Sequence, residues 1–197
     1  MQYRSFEPGI EVNGHALRWT IDGFRILPSL AMRYLMRHGL VKEGEATFDV
    51  NAWYPLDGWL RAFEAIEREV GSNTIAEIGR QVGLKADLPP ECNDLPTAFR
   101  YVDFGYHLFH RKRGQVMFDE SSGIMTEGIG HYYYQPGPEG ERKLFIIAEN
   151  PYSCEFDRGL VTGVAMRVSP GSRVAHDDTA PCRKRGDNRS CTYAVTW

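Results

Sequence analysis

The sequence has no long hydrophobic run, and only four of its 197 residues are cysteines. No apolar segment approaches the roughly 20 residues that a transmembrane helix needs, so a membrane span is not expected. The first residues lack the apolar core of a secretory signal, which predicts a cytoplasmic protein. Because the cytoplasm keeps thiols reduced, disulfides are not the default for the four cysteines.

The chain also lacks a large excess of charge of either sign. Its 23 lysines and arginines stand against 26 acidic residues, which gives a formal net charge of -3. Such a chain offers nucleic acid no general electrostatic attraction, and its one local basic cluster spans residues 183–189. Sequence-specific nucleic-acid binding is therefore not expected.

The length suits one domain with a sizeable core. We predict a single ligand-binding domain over residues 1–197, in which residues 154–197 form a cysteine-containing C-terminal subregion. Residues 1–26 are predicted to form an irregular, β-containing arm, because glycines such as Gly14 and Gly23 interrupt its apolar positions.

Hydrophobic spacing predicts most of the helices. The apolar residues of 55–70 fall on one face of a helix that Gly71 ends. Similar patterns and end signals predict four more helices, which lie between Pro28 and Gly39, between Ser72 and Gly83, after Pro96, and over residues 155–168.

Strand patterns dominate the C-terminal part of the chain. Residues 123–135 and 143–149 are rich in Ile, Tyr and Phe, and the PGPEGE segment between them predicts a β-hairpin. Residues 173–177 and 191–197 predict two further strands, and the last alternates apolar and polar side chains. The order of elements indicates an α+β fold with N-terminal helices packed on a mostly antiparallel sheet.

Sulfur and nitrogen ligands are concentrated near the C-terminus, and the candidate metal ligands there are Cys154, His176, Cys182 and Cys191. Thiolates with one imidazole suit a tetrahedral Zn²⁺ site. The spacing is not a standard zinc-finger pattern, so two alternatives remain. In the first alternative the cysteines are simply buried as small apolar residues, and in the second Cys182 and Cys191 form a disulfide.

The stretch from Cys154 to Trp197 resembles the C-terminal part of V4R domains, which are small-molecule-binding domains related to the Bet3 trafficking proteins and, more remotely, to haem nitric-oxide-binding domains. The shared order is a cysteine that opens a glycine-containing helix, a strand, and two further cysteines. The resemblance implies a V4R/Bet3-like fold with a structural zinc beside an aromatic-lined pocket. In those domains an acidic residue completes the zinc site, but this chain has Thr179 at that position. We therefore assign His176 as the fourth ligand, with Asp177 and Asp178 as substitutes.

A second constellation consists of Asp103, His107 and His110, at positions i, i+4 and i+7 of one predicted helix. They share a face on which an imidazole can hold a metal or a haem iron, although a solvated polar face is the simpler interpretation. Haem nitric-oxide sensors carry a Tyr-x-Ser-x-Arg motif for the propionates, and residues 131–135 lack its Ser and Arg. We therefore expect zinc rather than haem as the cofactor.

Aromatic side chains form 12% of the sequence, and many of them lie on predicted helices. Two helices and a strand present aromatic faces that predict an apolar ligand pocket, lined by Trp59, Phe63, Tyr106, Phe109 and Tyr133. Ordinary core packing is the alternative interpretation for most of the aromatic residues.

These features predict a small-molecule-binding sensor or signalling domain for a small apolar or aromatic ligand. One alternative is a thiol-dependent hydrolase or reductase, with Cys182 as nucleophile and His176 as base. The other is a haem-based gas sensor that uses His107. The signal is expected to pass to a partner protein whose identity the sequence leaves open. A homodimer is also predicted, because the N-terminal segment has few charges among the apolar residues Trp19, Ile21, Phe24 and Ile26.

Overall fold

The computed structural model describes residues 2–24, 27–90 and 92–197. The helices are α1 (Gly14–Gly23), α2 (Pro28–Arg37), α3 (Leu56–Glu69), α4 (Ser72–Lys85), α5 (Leu95–Leu108) and α6 (Cys154–Val168). The strands are β1 (Ile10–Asn13), β2 (Trp53–Pro55), β3 (His110–Lys112), β4 (Gln115–Val116), β5 (Phe118–Asp119), β6 (Ile124–Met125), β7 (His131–Pro136), β8 (Lys143–Glu149), β9 (Arg173–His176) and β10 (Ser190–Thr196). Within the described ranges, no helix is long and apolar enough to cross a membrane.

The C-terminal half is built on a four-stranded antiparallel sheet of order β7-β8-β10-β9. Along β10, Cys191, Tyr193 and Val195 are buried and the residues between them are partly exposed, because successive side chains of a strand point to opposite faces. The predicted α+β fold with an antiparallel sheet is confirmed, and so is the hairpin across the PGPEGE segment, which joins β7 to β8.

The first strand of that hairpin is shorter than predicted. β7 begins at His131 rather than at Gly123, and β5 pairs with β6 in a separate small hairpin. Gly128 and Gly130 both have positive φ. An added Cβ at Gly130 would also overlap the carbonyl of Glu149. The chain therefore bends repeatedly before it enters β7.

The arm predicted for residues 1–26 does contain a strand, but it is not irregular, because residues 10–23 form β1 and α1. β1 is an inner strand of a second sheet of order β2-β1-β3-β4, and α1 follows it directly. The Asn13 side chain accepts a hydrogen bond from the backbone N–H of His15 and caps the helix. Of the residues in the predicted arm, Met1, Arg25 and Ile26 lie outside the described residues.

Gly14 and Gly23 lie at the two ends of α1, where close packing requires them. An added Cβ at Gly14 would overlap the backbone of Asp49 and Val50, and one at Gly23 would overlap Ile78. The sequence pattern could not distinguish a glycine that breaks an element from a glycine that lets two elements touch.

Helices α4 and α6 also approach closely at glycines. An added Cβ on any of four glycines would overlap the backbone of the other helix, and these are Gly79 and Gly83 of α4 and Gly159 and Gly163 of α6. The prediction that Gly83 ends its helix is therefore wrong, since α4 continues to Lys85. This contact holds α6, which begins at Cys154, against the helical half of the molecule.

Candidate functional site

A cavity of about 370 Å³ lies among α1, α4, α5 and α6. Its volume falls in the range of roughly 300–1,000 Å³ that is typical of small-molecule sites. The lining is mainly apolar and aromatic, and includes Ala16, Trp19, Trp59, Val82, Tyr101, Val102, Gly105, Tyr106, Phe109, Tyr132, Tyr152, Phe156 and Leu160. The arrangement can enclose a flat or bulky apolar ligand.

Three of the five predicted pocket residues line this cavity, namely Trp59, Tyr106 and Phe109. The other two are not among the described lining residues. Phe63 is fully buried in the core, where its ring lies 4.6 Å from that of Trp59 and 5.4 Å from that of Phe156, measured between centroids. Tyr133 is 46% exposed. Its neighbour on β7, Tyr132, faces the cavity instead, because the strand alternates.

His110 lies in the wall of the cavity and is buried. Its Nδ1 donates to the backbone carbonyl of Tyr106 over 2.6 Å, and its Nε2 lies 2.6 Å from the hydroxyl of Tyr152. Burial lowers the pKa of His110 to about 4, so the ring is neutral. With Nδ1 protonated, Nε2 carries a lone pair and accepts the hydrogen bond from Tyr152.

His107, the residue assigned to a possible haem iron, is completely buried and is not among the described residues that line the cavity. It lies beside β7, where its ring centroid is 4.7 Å from that of His131. His110 is therefore the imidazole at the cavity wall. The helical spacing placed the two histidines on one face, but α5 ends at Leu108 and His110 begins β3.

The Cys–His cluster, which we define as Cys154, His176, Cys182 and Cys191, is brought together from α6, β9, a loop and β10. One ligand atom of each residue lies within 4.8 Å of the others. The Sγ of Cys154 is 2.9 Å from that of Cys191 and 3.5 Å from that of Cys182, and all three thiols are free. The disulfide alternative is therefore not found in the structure.

Local structure orients the ligands of this cluster. Ser153 caps α6 by accepting a hydrogen bond from the backbone N–H of Phe156, which places Cys154 in the first turn of the helix, beside Cys191. His176 directs Nδ1 at a carboxylate oxygen of Asp178, 3.0 Å away, and its Nε2 is buried without a hydrogen-bond partner among the described residues. Asp178 thus orients an imidazole whose lone pair is free.

The same cluster does not suit a thiol enzyme. The cysteine proposed as nucleophile, Cys182, is 5% exposed, and Cys154 and Cys191 are also buried. A hydrogen bond from Cys154 and the guanidinium of Arg183 hold the pKa of Cys191 well below its usual value. The thiol whose pKa is lowered is therefore Cys191 rather than the cysteine proposed as nucleophile, and both are buried away from solvent.

A buried polar network joins the cavity to the Cys–His cluster, and sequence reasoning missed it. Arg183 forms an ion pair with Asp157, and both side chains are fully buried. Asp157 also accepts a hydrogen bond of 2.5 Å from Tyr132, which lines the cavity. On the other side, Nε of Arg183 lies 3.4 Å from Sγ of Cys191. The only sign of this network in the sequence was Arg183, which the sequence pattern assigned to the local basic cluster of residues 183–189.

No protein-family model matches the chain, and no curated protein is significantly similar to it. Solved structures match it over most of its length. A mutant H-NOX protein from S. oneidensis in the Fe(II) ligation state has 14% identity and a TM-score of 0.61, with 93% of this chain and 95% of that chain covered. A mutant H-NOX from T. tengcongensis has 11% identity and a TM-score of 0.55, with 92% and 94% covered. These similarities establish an H-NOX-like fold.

Two predictions are corrected by these structural neighbours. The V4R/Bet3-like assignment is wrong, because the neighbours are H-NOX, or haem NO-binding, proteins. It rested on about 45 C-terminal residues, whereas the fold depends on elements along the whole chain. The cofactor prediction, which favoured zinc and dismissed haem, is contradicted because the neighbours include Fe(II) and Fe(II)NO forms and one solved to examine haem redox potential.

Proposed function

We propose that this chain is a gas-sensing domain that binds haem in the cavity among α1, α4, α5 and α6. The observation that carries the proposal is the buried, neutral imidazole of His110 in the cavity wall. The H-NOX-like fold and the apolar, aromatic lining support it. A bound haem would supply an iron with a coordination position for a diatomic gas.

His110 is the residue that would hold the haem iron. Iron binds the neutral form of imidazole, and burial keeps this ring neutral at physiological pH. The hydrogen bond from Nδ1 to the carbonyl of Tyr106 fixes the tautomer and the ring plane, as the outer partners of metal-bound histidines do. Tyr152, whose hydroxyl occupies Nε2, would have to give up that hydrogen bond when haem binds.

The haem carboxylates require a partner other than the motif of the haem nitric-oxide sensors, since the chain has no Tyr-x-Ser-x-Arg. Among the described lining residues, Lys85 is the one lysine or arginine. It forms an ion pair with Asp22 and its side chain is 45% exposed. We assign Lys85 to a haem propionate, because it can exchange one carboxylate for another at the mouth of the cavity.

Haem loading tests this function directly. Haem is added to the purified chain, and the absorption spectrum is recorded before and after addition of CO and of NO. We expect one haem per chain and a Soret band that shifts with each gas. A chain that circular dichroism shows to be folded, but that gives no Soret band above that of free haem, would contradict the proposal.

We propose in addition that the Cys–His cluster binds a metal ion that links α6 to β9 and β10. Three thiols and an imidazole within 4.8 Å form a donor set for a tetrahedral, thiophilic ion. The unpartnered Nε2 of His176 supports this assignment. Metal analysis of the purified chain tests it, and a chain without any bound metal would count against it.

A single ligand-binding domain over residues 1–197 is part of this proposal, and the homodimer remains a prediction. The apolar segment on which the dimer rests is largely turned inward. Trp19 packs edge-on against Phe109 with ring centroids 4.7 Å apart, and Phe24 is 7% exposed. A monomer in sedimentation at micromolar concentration would rule out the dimer.

A further inference from the structure

We propose a second metal site, for a divalent transition-metal ion, formed by Asp103, His107 and His131 where α5 packs on β7. We call these residues the α5–β7 cluster. One ligand atom of each lies within 4.8 Å of the others. The site is separate from the Cys–His cluster, and it lies on the side of α5 away from the cavity, which Tyr101, Gly105 and Phe109 line.

The three side chains are enclosed by the fold. Asp103 and His131 are each 11% exposed at the side chain, and His107 is fully buried. Asp103 is held in place because one of its carboxylate oxygens accepts a hydrogen bond of 2.9 Å from the backbone N–H of Tyr132. The other oxygen lies 3.0 Å from Nδ1 of His131. The helix and the strand are thus already joined through the carboxylate.

His107 carries the proposal furthest, because one of its nitrogens has no partner. Nδ1 lies 2.9 Å from the backbone carbonyl of Asp103 and donates to it. Nε2 therefore bears a lone pair, and it is buried without a hydrogen-bond partner among the described residues. A buried acceptor without a donor destabilises the fold, because it has lost its hydrogen bonds to water. A cation bound at Nε2 would satisfy it.

The charge around His131 also favours a cation. Nδ1 faces Asp103, and Nε2 lies 3.2 Å from a carboxylate oxygen of Glu127. A neutral imidazole has one donor nitrogen only, so one of these two carboxylates faces a lone pair. A divalent ion would balance the carboxylates without requiring a proton on the ring.

The donor set defines the class of ion. Two imidazoles with one or two carboxylates suit Zn²⁺, Co²⁺, Ni²⁺ and Fe²⁺, whereas Ca²⁺ and Mg²⁺ prefer oxygen ligands alone. The same site differs from the Cys–His cluster in having no sulfur ligand. Cobalt distinguishes the two sites, because Co²⁺ bound to thiolate shows a sulfur-to-metal charge-transfer absorption that nitrogen and oxygen ligands do not give.

The experiment uses the full chain without haem, after removal of metals with a chelator. Co²⁺ is titrated while heat and absorption are recorded. We expect one site with thiolate absorption and a second without it. In His131→Asn the second site should weaken by more than the roughly 10- to 100-fold that loss of an outer partner of a metal ligand costs, because a ligand itself is removed, while the thiolate absorption stays unchanged.

His38→Asn is the matched control, because Nε2 of His38 is also buried without a partner but lies outside both clusters. It should bind Co²⁺ as the wild type does. His107→Gln should lose the second site. Glu127→Gln should weaken that site and should perturb the fold least, because the side chain of Glu127 is 79% exposed. Binding of a single Co²⁺ with thiolate absorption, or a second site unaffected by His131→Asn, would overturn the proposal.

Discussion

The cavity and the Cys–His cluster differ in the chemistry of their side chains. The cavity is a mainly apolar space enclosed by side chains from α1, α4, α5 and α6, with Trp59 of α3 and residues of several strands, and its buried His110 is hydrogen-bonded to Tyr152. The cluster is a compact set of sulfur and nitrogen atoms, the sulfur atoms being 2.9 to 3.8 Å apart. We therefore propose a ligand of large surface for the first region and a small cation for the second.

The two regions are nevertheless connected. Tyr132 lies at the cavity, Cys191 lies in the cluster, and the buried pair of Asp157 and Arg183 lies between them. Each group in this chain of contacts is buried, so removing one of them leaves its neighbour without a buried polar partner. The comparison therefore predicts different consequences for changes in the cluster, in the connection and in the cavity.

Loss of a cluster ligand is expected to have the largest effect. Cys191→Ser should reduce bound metal from one ion at this cluster to almost none and should lower the thermal midpoint, because a structural metal contributes folding free energy. Metal analysis and calorimetry measure the two effects. Cys92→Ser, at the thiol outside the cluster, is the control and should change neither. Full metal retention in Cys191→Ser would refute the ligand assignment.

Loss of the connecting arginine comes next. Arg183→Met leaves the carboxylate of Asp157 buried without its counter-ion, which should lower the free energy of unfolding by about 3 to 5 kcal/mol. Urea unfolding measures the loss. Arg142→Met, at an exposed arginine, should change stability by less than about 0.5 kcal/mol. Equal effects of the two substitutions would show that the buried pair of Arg183 and Asp157 does not contribute to stability.

Substitutions at two phenylalanines distinguish the cavity wall from the core. Phe109→Ala removes a lining side chain and should weaken haem binding by about 1 to 3 kcal/mol. Phe63→Ala lies behind the wall and should lower stability by about 3 to 5 kcal/mol while the folded fraction binds haem normally. Affinity and unfolding measurements on both variants test this. Weaker haem binding in folded Phe63→Ala alone would place the site deeper than the cavity.

The smallest effect is expected at Gly105, a cavity-lining glycine of α5. An added Cβ there meets no atom within 4 Å, so Gly105→Ala should stabilise the fold by about 0.5 to 1 kcal/mol through helix propensity and reduce haem affinity slightly. Gly79→Ala, where the Cβ would overlap the backbone of Phe156, should instead destabilise the fold. Stabilisation by both substitutions would contradict the close packing of α4 and α6.

The sequence was informative where the residue types were rare. Cys154, Cys182 and Cys191 were named together because few groups other than thiols bind soft metals, and the structure places them in contact. Aromatic residues occur on five of the six helices described, all except α4, so Phe63 and Phe109 could not be separated without knowing which helix faces which. The same limit applies to Tyr132 and Tyr133.

Contacts between elements far apart in the chain could not be predicted from the sequence either. Arg183 belongs to a basic run and looks like a surface residue, yet the loop after β9 buries it against Asp157. His131 was noted only for the missing propionate motif, because its proximity to His107 depends on how β7 packs on α5. Helix ends and strand alternation are local, whereas these contacts are not.

The most direct test of the haem site replaces each of the two histidines by glycine. His110→Gly and His107→Gly are each loaded with haem, and the Soret band is measured with and without added imidazole. We expect His110→Gly to lose the iron–imidazole spectrum and to regain it when imidazole enters the vacated space. His107→Gly should keep the wild-type spectrum. The reverse result, with His107→Gly losing the spectrum and His110→Gly keeping it, would contradict the assignment of the cavity as the haem site.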